Sequence, residues 1–160
     1  MVLMEELERL KKEYEIIRKK YKLPSFSELN VEFEIEKLQD RETEFLIRQV
    51  RRTMIEKIAL ILRFFELIVN PNEASPVYIF SLMKNIQADT KKLIEKIYRE
   101  LVTVEISSLN LDVSYDEKTE VKFIKEISDK WPLIKKDLSE ITKKLYVSWS
   151  HEKSHGSYLG

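Results

Sequence analysis

The stretch DRETEFLIRQVRRTMIEKIALILRFFELIVNP, Asp40 to Pro71, decides the fold. Neither proline nor glycine interrupts it before its last residue. At about 1.5 Å of rise per residue, a helix over 41–69 spans about 43 Å, longer than a small domain is wide. Asp40 is a suitable N-cap, and Glu42 and Glu44 place negative charge where the helix dipole favours it. Around the helix axis Leu46, Ile47, Val50, Met54, Ile58, Ile61, Leu62, Phe64, Phe65, Ile68 and Val69 cover an arc of about 180°, wide enough to meet several other helices. At Asn70-Pro71 the hydrogen-bond ladder cannot continue.

One charge falls on the wrong side of that arc. Arg51 projects among the apolar residues, where an unpaired guanidinium is costly to bury. It requires a carboxylate, either from Glu44 two turns earlier or from another helix, unless it opens onto a groove where a ligand supplies one. Arg48, Arg52 and Arg63 lie within about 60° of one another on the polar side. They form a strip that could meet phosphates, although Glu56 and Glu66 share it and local pairs such as Glu44 with Arg48 compete.

Toward the N-terminus, Leu3, Leu7, Leu10, Tyr14, Ile17 and Tyr21 recur at alternating spacings of four and three. This heptad seam predicts an amphipathic helix over 1–22, which either docks on the protein's own core or protrudes and mediates association. Leu23-Pro24 ends it. Ser25 and Glu28 form a capping box for a short helical turn, and the alternation of Val31, Phe33 and Ile35 suggests an extended segment.

Beyond the central helix, Ser75-Pro76 marks another helix start, with Ser75 as the cap. Val77, Ile79, Phe80, Met83 and Ile86 follow it. Asp89 is a candidate cap for the next helix, which carries Leu93, Ile94, Ile97, Tyr98, Leu101 and Val104. Leu109, Leu111, Val113 and Tyr115 then alternate like a strand, whose one candidate partner is the segment around Val31 to Ile35. Ser114 with Glu117 offers a second capping box, opening a helix to Trp131. Pro132 either starts a new helix or kinks a long one through Leu133, Ile134, Leu138, Ile141, Leu145 and Trp149. The expected architecture is an all-α, single-domain bundle of five or six helices over 1–149 around the 41–69 helix, with a minor extended ribbon as an option. Residues 150–160 read as a polar tail.

Composition narrows function. In 160 residues Lys plus Arg equals Asp plus Glu at 28 each, so no net field draws the chain to nucleic acid or membrane. There is no cysteine, which removes disulfides and thiolate chemistry, and the two glycines, Gly156 and Gly160, form no phosphate loop. The charged residues, 35% of the chain, resemble the balance of proteins from hot environments. Apolar runs such as Ile58 to Leu62 are too short to span a bilayer, and no leader precedes the first charged helix, so the expected location is cytoplasmic.

The sharpest motif is His151-Glu152-Lys153-Ser154-His155, matching the H-E-x-x-H of zinc metalloproteases. Such a site needs a third protein ligand and a cleft, and the chain ends five residues beyond His155. We read it as a chance match in a solvated tail and expect no metal, no cofactor and no enzyme. Both histidines lie there, so no serine, histidine and acid set can be assembled.

LPSFSELNVEFEIE (23–36), FLIRQVRRTMIEKI with the later NP (45–71), and FIKEISDKWPLIKK (123–136) resemble segments of a family of small, uncharacterised helical proteins of archaeal genomes. The resemblance implies an archaeal cytoplasmic protein and carries no activity. The expected function is a non-enzymatic helical interaction module that binds a protein partner or itself, with Leu3, Leu7, Leu10, Tyr14, Ile17 and Tyr21 as the association surface. The alternative is a nucleic-acid-associated protein using Arg48, Arg51, Arg52 and Arg63.

Overall fold

The computed structural model describes residues 2–41 and 44–154, with side chains for 4–41 and 44–151. Among these the protein is all helix, and no strand forms. The helices are α1 (Val2–Tyr21), α2 (Phe26–Phe33), α3 (Leu46–Val69), α4 (Val77–Asn85), α5 (Ala88–Val113) and α6 (Glu117–Ser154), with a 3-10 turn at Ile35–Leu38 between α2 and α3. The backbone contacts divide into two compact units, Met1–Ala59 with Val104–Lys130, and Leu60–Thr103 with Trp131–Gly160. Helices α3, α5 and α6 each contribute a part to both.

In the first unit the α1 seam faces inward. Leu10 and Tyr14 are buried, Leu7, Ile17 and Tyr21 are half-buried, and the side chain of Leu3 lies outside the described residues. The Tyr14 hydroxyl donates to the Pro24 carbonyl at 2.7 Å, and its ring meets Phe26 edge-on with centroids 5.9 Å apart. Lys22, in a left-handed conformation (φ 55°), ends α1, and the Leu23 N–H reaches back to the Arg18 carbonyl at 3.2 Å. The capping box forms as expected: the Glu28 N–H donates to Ser25 Oγ at 3.2 Å and the Ser25 N–H to Glu28 Oε2 at 2.6 Å.

The extended ribbon is corrected on both sides. Val31 is exposed, while Leu29 and Phe33 are buried one turn apart, and Ile35 and Leu38 are buried three apart. These are helical spacings, broken by Glu34, whose left-handed backbone (φ 56°, ψ 44°) ends α2 and restarts the chain as the 3-10 turn. The break makes two helical patterns resemble one alternating pattern. The second half of the expected ribbon, Leu109 to Val113, continues α5.

The central helix starts at Leu46 rather than near 41. Leu38 is buried, and the Arg41 N–H bonds its carbonyl at 3.1 Å, so Asp40 belongs to a turn ahead of α3 and does not adjoin its first residue. The Phe45 carbonyl instead accepts from the Gln49 N–H at 3.2 Å. Glu42 lies outside the described residues. Helix α6 starts on Asp116, whose Oδ2 accepts from the Thr119 N–H at 2.9 Å, and not on Ser114. It then runs without a break through Pro132.

In the second unit Leu62, Phe65, Ile79, Ile97, Leu101 and Ile141 are buried among the halves of α3, α5 and α6 and helix α4. Pro76 takes the N-cap position of α4, and Ser75 Oγ accepts from the Asn72 N–H at 3.1 Å instead of capping. Asp89 lies inside α5, where its Oδ1 accepts from the Thr90 N–H at 2.8 Å. The tail's first residues, Ser150 to Ser154, continue α6.

Candidate functional site

Arg51 is fully buried. Its Nε donates to Glu120 Oε2 at 2.5 Å and its Nη2 to Glu120 Oε1 at 3.3 Å, a bidentate pair with a carboxylate that is itself fully buried. Nη2 also reaches Asp112 Oδ1 at 2.6 Å, and Nη1 reaches Ser108 Oγ at 2.5 Å and the Ser108 carbonyl at 3.2 Å. Each guanidinium nitrogen therefore has an acceptor, as burial of so polar a group demands. The partner is an acid from another helix; Glu44, the intrahelical candidate, is exposed.

The neighbouring arginines join the same cluster. Arg48 Nε stands 3.4 Å from Glu120 Oε1, its Nη2 donates to the Leu111 carbonyl at 2.9 Å, and its guanidinium lies 5.2 Å from the centre of the Tyr115 ring. Phe45 packs against that tyrosine, with centroids 4.3 Å apart. Arg52 Nε donates to Asp112 Oδ1 at 3.2 Å. Burial opposes the charged form of Asp112, but the hydrogen bond and charge of Arg51, with Arg52 behind them, hold its carboxyl below the usual aspartate range. Arg63 is exposed and belongs to the second unit.

Glu120 sits one turn before Ile124 and two before Ile127, both buried. Its position on the apolar face of α6 is the signal by which sequence reasoning could have found it. Ser108 and Asp112, one turn apart on α5, complete the polar lining.

The cluster has a consequence for α5. Its inner face carries Ile94, Ile97, Leu101 and Val104, then switches to Ser108 and Asp112 to serve Arg51. The apolar residues of this last part point outward: Ile106 is 60% exposed, Leu109 60% and Val113 84%. They fall three and four apart, a single stripe along the helix. Ser107, Asn110 and Ser114 are exposed beside them. In a chain that is 35% charged, the exposed face over 106–114 thus combines apolar and small polar residues and carries no charge except the Arg51-bound Asp112 at its edge.

His151 is exposed on the last turns of α6, whereas the side chain of Glu152 and all of His155 lie outside the described residues. Among the described residues no group of three or more His, Asp or Glu is placed to hold a metal ion, and no helix is long and apolar enough to cross a membrane. No protein-family model, curated protein or solved structure matches this chain.

Proposed function

We propose that the chain is a non-enzymatic helical interaction module whose α5 face, centred on Ile106, Leu109 and Val113, docks a second copy of itself. The observation that carries this reading is the outward apolar stripe beside small polar residues. A contiguous exposed apolar patch marks an association surface. An uncharged face is self-complementary, because two copies meeting through it about a twofold axis bring no like charges together. Ser107, Asn110 and Ser114 allow close approach and hydrogen bonding at the rim. This relocates the association surface from the α1 seam, whose described members pack inward. The nucleic-acid reading loses support, because Arg48, Arg51 and Arg52 are directed at internal acceptors.

A concentration series by sedimentation equilibrium tests the proposal. The expected result is a monomer–dimer equilibrium with a dissociation constant on the order of 10 μM, as suits a small interface, which Leu109→Glu weakens at least tenfold while leaving the helical circular dichroism unchanged. A monomer at every concentration, or a dimer indifferent to Leu109→Glu, would refute it.

A further inference from the structure

Ile106 and Val113 stand two turns apart along one line of α5, and both are exposed. At about 100° per residue, Leu109 lies about 50° to one side of that line and Asn110 about 50° to the other, with Ser114 and Ser107 beyond Asn110. The face therefore has an apolar edge and a small polar edge. At its C-terminal end it adjoins an open cavity of about 370 Å³ at the turn between α5 and α6, lined by Asn110, Leu111, Val113, Ser114, Asp116 and Thr119. Face and cavity both belong to the first unit.

Two copies related by a twofold axis can set these helices side by side in two ways. With the axis running along the helices they are parallel, and the apolar edge of each copy abuts the polar edge of the other. Leu109 then faces Asn110 and the serines. Parallel pairing also places both α5 C-terminal ends together, with their partial negative charge and with Asp112 and Asp116 of each copy at matching heights. It leaves the two cavities opposite each other, a void without packing partners. With the axis perpendicular to the helices they are antiparallel, and like edges meet. Leu109 packs on Leu109 of the second copy, and the two C-terminal ends point away from each other. Asn110 faces Asn110 of the second copy, where each amide can both donate and accept. An axis midway between 106 and 113 brings Ile106 of one copy level with Val113 of the other, at the mouth of its cavity.

We infer that the α5 faces pair antiparallel about a twofold axis between Leu109 and Asn110, with Ile106 of each copy seated against Val113 at the cavity of the other. This pairing rests on the self-association proposed above and specifies its orientation, register and contacts.

Cysteine cross-linking reads the pairing directly, because the chain has no cysteine of its own and a disulfide forms only where Cα atoms come within about 7 Å. Ile106→Cys and Val113→Cys chains are oxidised separately and as an equal mixture, at concentrations where the wild type sediments as a dimer. In the antiparallel pair like positions are displaced by about 10 Å along the helices. The mixture should therefore yield the 106–113 cross-link at least fivefold above the cross-linking of either variant alone. Cross-linking of Ile106→Cys or Val113→Cys with its own kind as efficiently as in the mixture would mean a parallel pair and overturn the inference. A double-mutant cycle checks the contact without disulfides. Residues 106 and 113 of one chain are too far apart to touch, so the effects of Ile106→Ala and Val113→Ala on the dissociation constant multiply unless the two meet across the axis. The double variant should fall at least threefold short of that product, and a simple product overturns the pairing. Sedimentation separates this failure from failure of the self-association itself. A dimer that Leu109→Glu weakens but that shows no 106–113 coupling rejects the antiparallel register alone, whereas a monomer at every concentration rejects both.

Discussion

Arg51 is where the physical demands on this chain are most severe, because a fully buried guanidinium is tolerated only while its carboxylates are in place. Removing one partner strands the other charge. Glu120→Ala should therefore cost about 3–5 kcal/mol of stability, read from the urea midpoint. The double replacement Arg51→Met with Glu120→Leu removes both charges and should recover most of that loss. A Glu120→Ala midpoint within about 0.5 kcal/mol of wild type would show that the pair carries no such weight. Asp112 adds a pH dependence. Its folded pKa lies below the ordinary value near 3.8, so its contribution is fully present above that value and is lost as pH falls through the folded one. Asp112→Asn should accordingly flatten the acid limb of a stability–pH profile below about pH 4. The sequence exposed the anomaly and not its solution. Helical angle alone put Arg51 among apolar residues, but Glu120 lies 69 positions away and only the tertiary fold brings it near.

At the scale of elements, the helices with regular apolar spacing were legible and the breaks in that spacing were not. The α1 seam, α4 and the body of α3 follow from periodicity, whereas α2 with its 3-10 turn was obscured by Glu34 in a left-handed conformation that the residue type does not advertise. The end of α5 was misread for another reason. Its inner positions are polar because Arg51 needs them, so the outward apolar residues, which ordinary burial would turn inward, imitated a strand. Tertiary chemistry had inverted the helix's usual pattern. Lys22 offers a test of the backbone argument. It is exposed, holds φ 55° at the end of α1, and takes the place where glycine is preferred. Lys22→Gly should thus raise stability by about 0.5–1 kcal/mol in thermal or urea unfolding. A loss of stability would mean that the Lys22 side chain contributes more than its backbone conformation costs.

For the whole molecule, charge balance bears on association in a way that separates the two functional readings. With 28 cationic and 28 anionic side chains the protein has no net field to drive or oppose encounter between copies. The exposed α5 stripe adds no charge of its own, so salt has little there to screen. If two copies meet through Ile106, Leu109 and Val113, the dissociation constant should change by less than about threefold between roughly 0.05 and 0.5 M sodium chloride. Sodium sulfate should tighten the dimer, since excluded salts strengthen apolar burial. Binding of nucleic acid through the arginine strip would behave oppositely, weakening by orders of magnitude over the same range as counterions compete for phosphate. Sedimentation across a salt series, with an oligonucleotide titration alongside, makes the comparison directly. A dimer that dissociates steeply with sodium chloride would place the interface on charged surface instead of the α5 face. An oligonucleotide complex with the same steep dependence, lost in Arg52→Glu or Arg63→Glu, would favour the nucleic-acid reading. A salt-insensitive dimer, strengthened by sulfate and weakened by Leu109→Glu, fits only an uncharged apolar contact through α5.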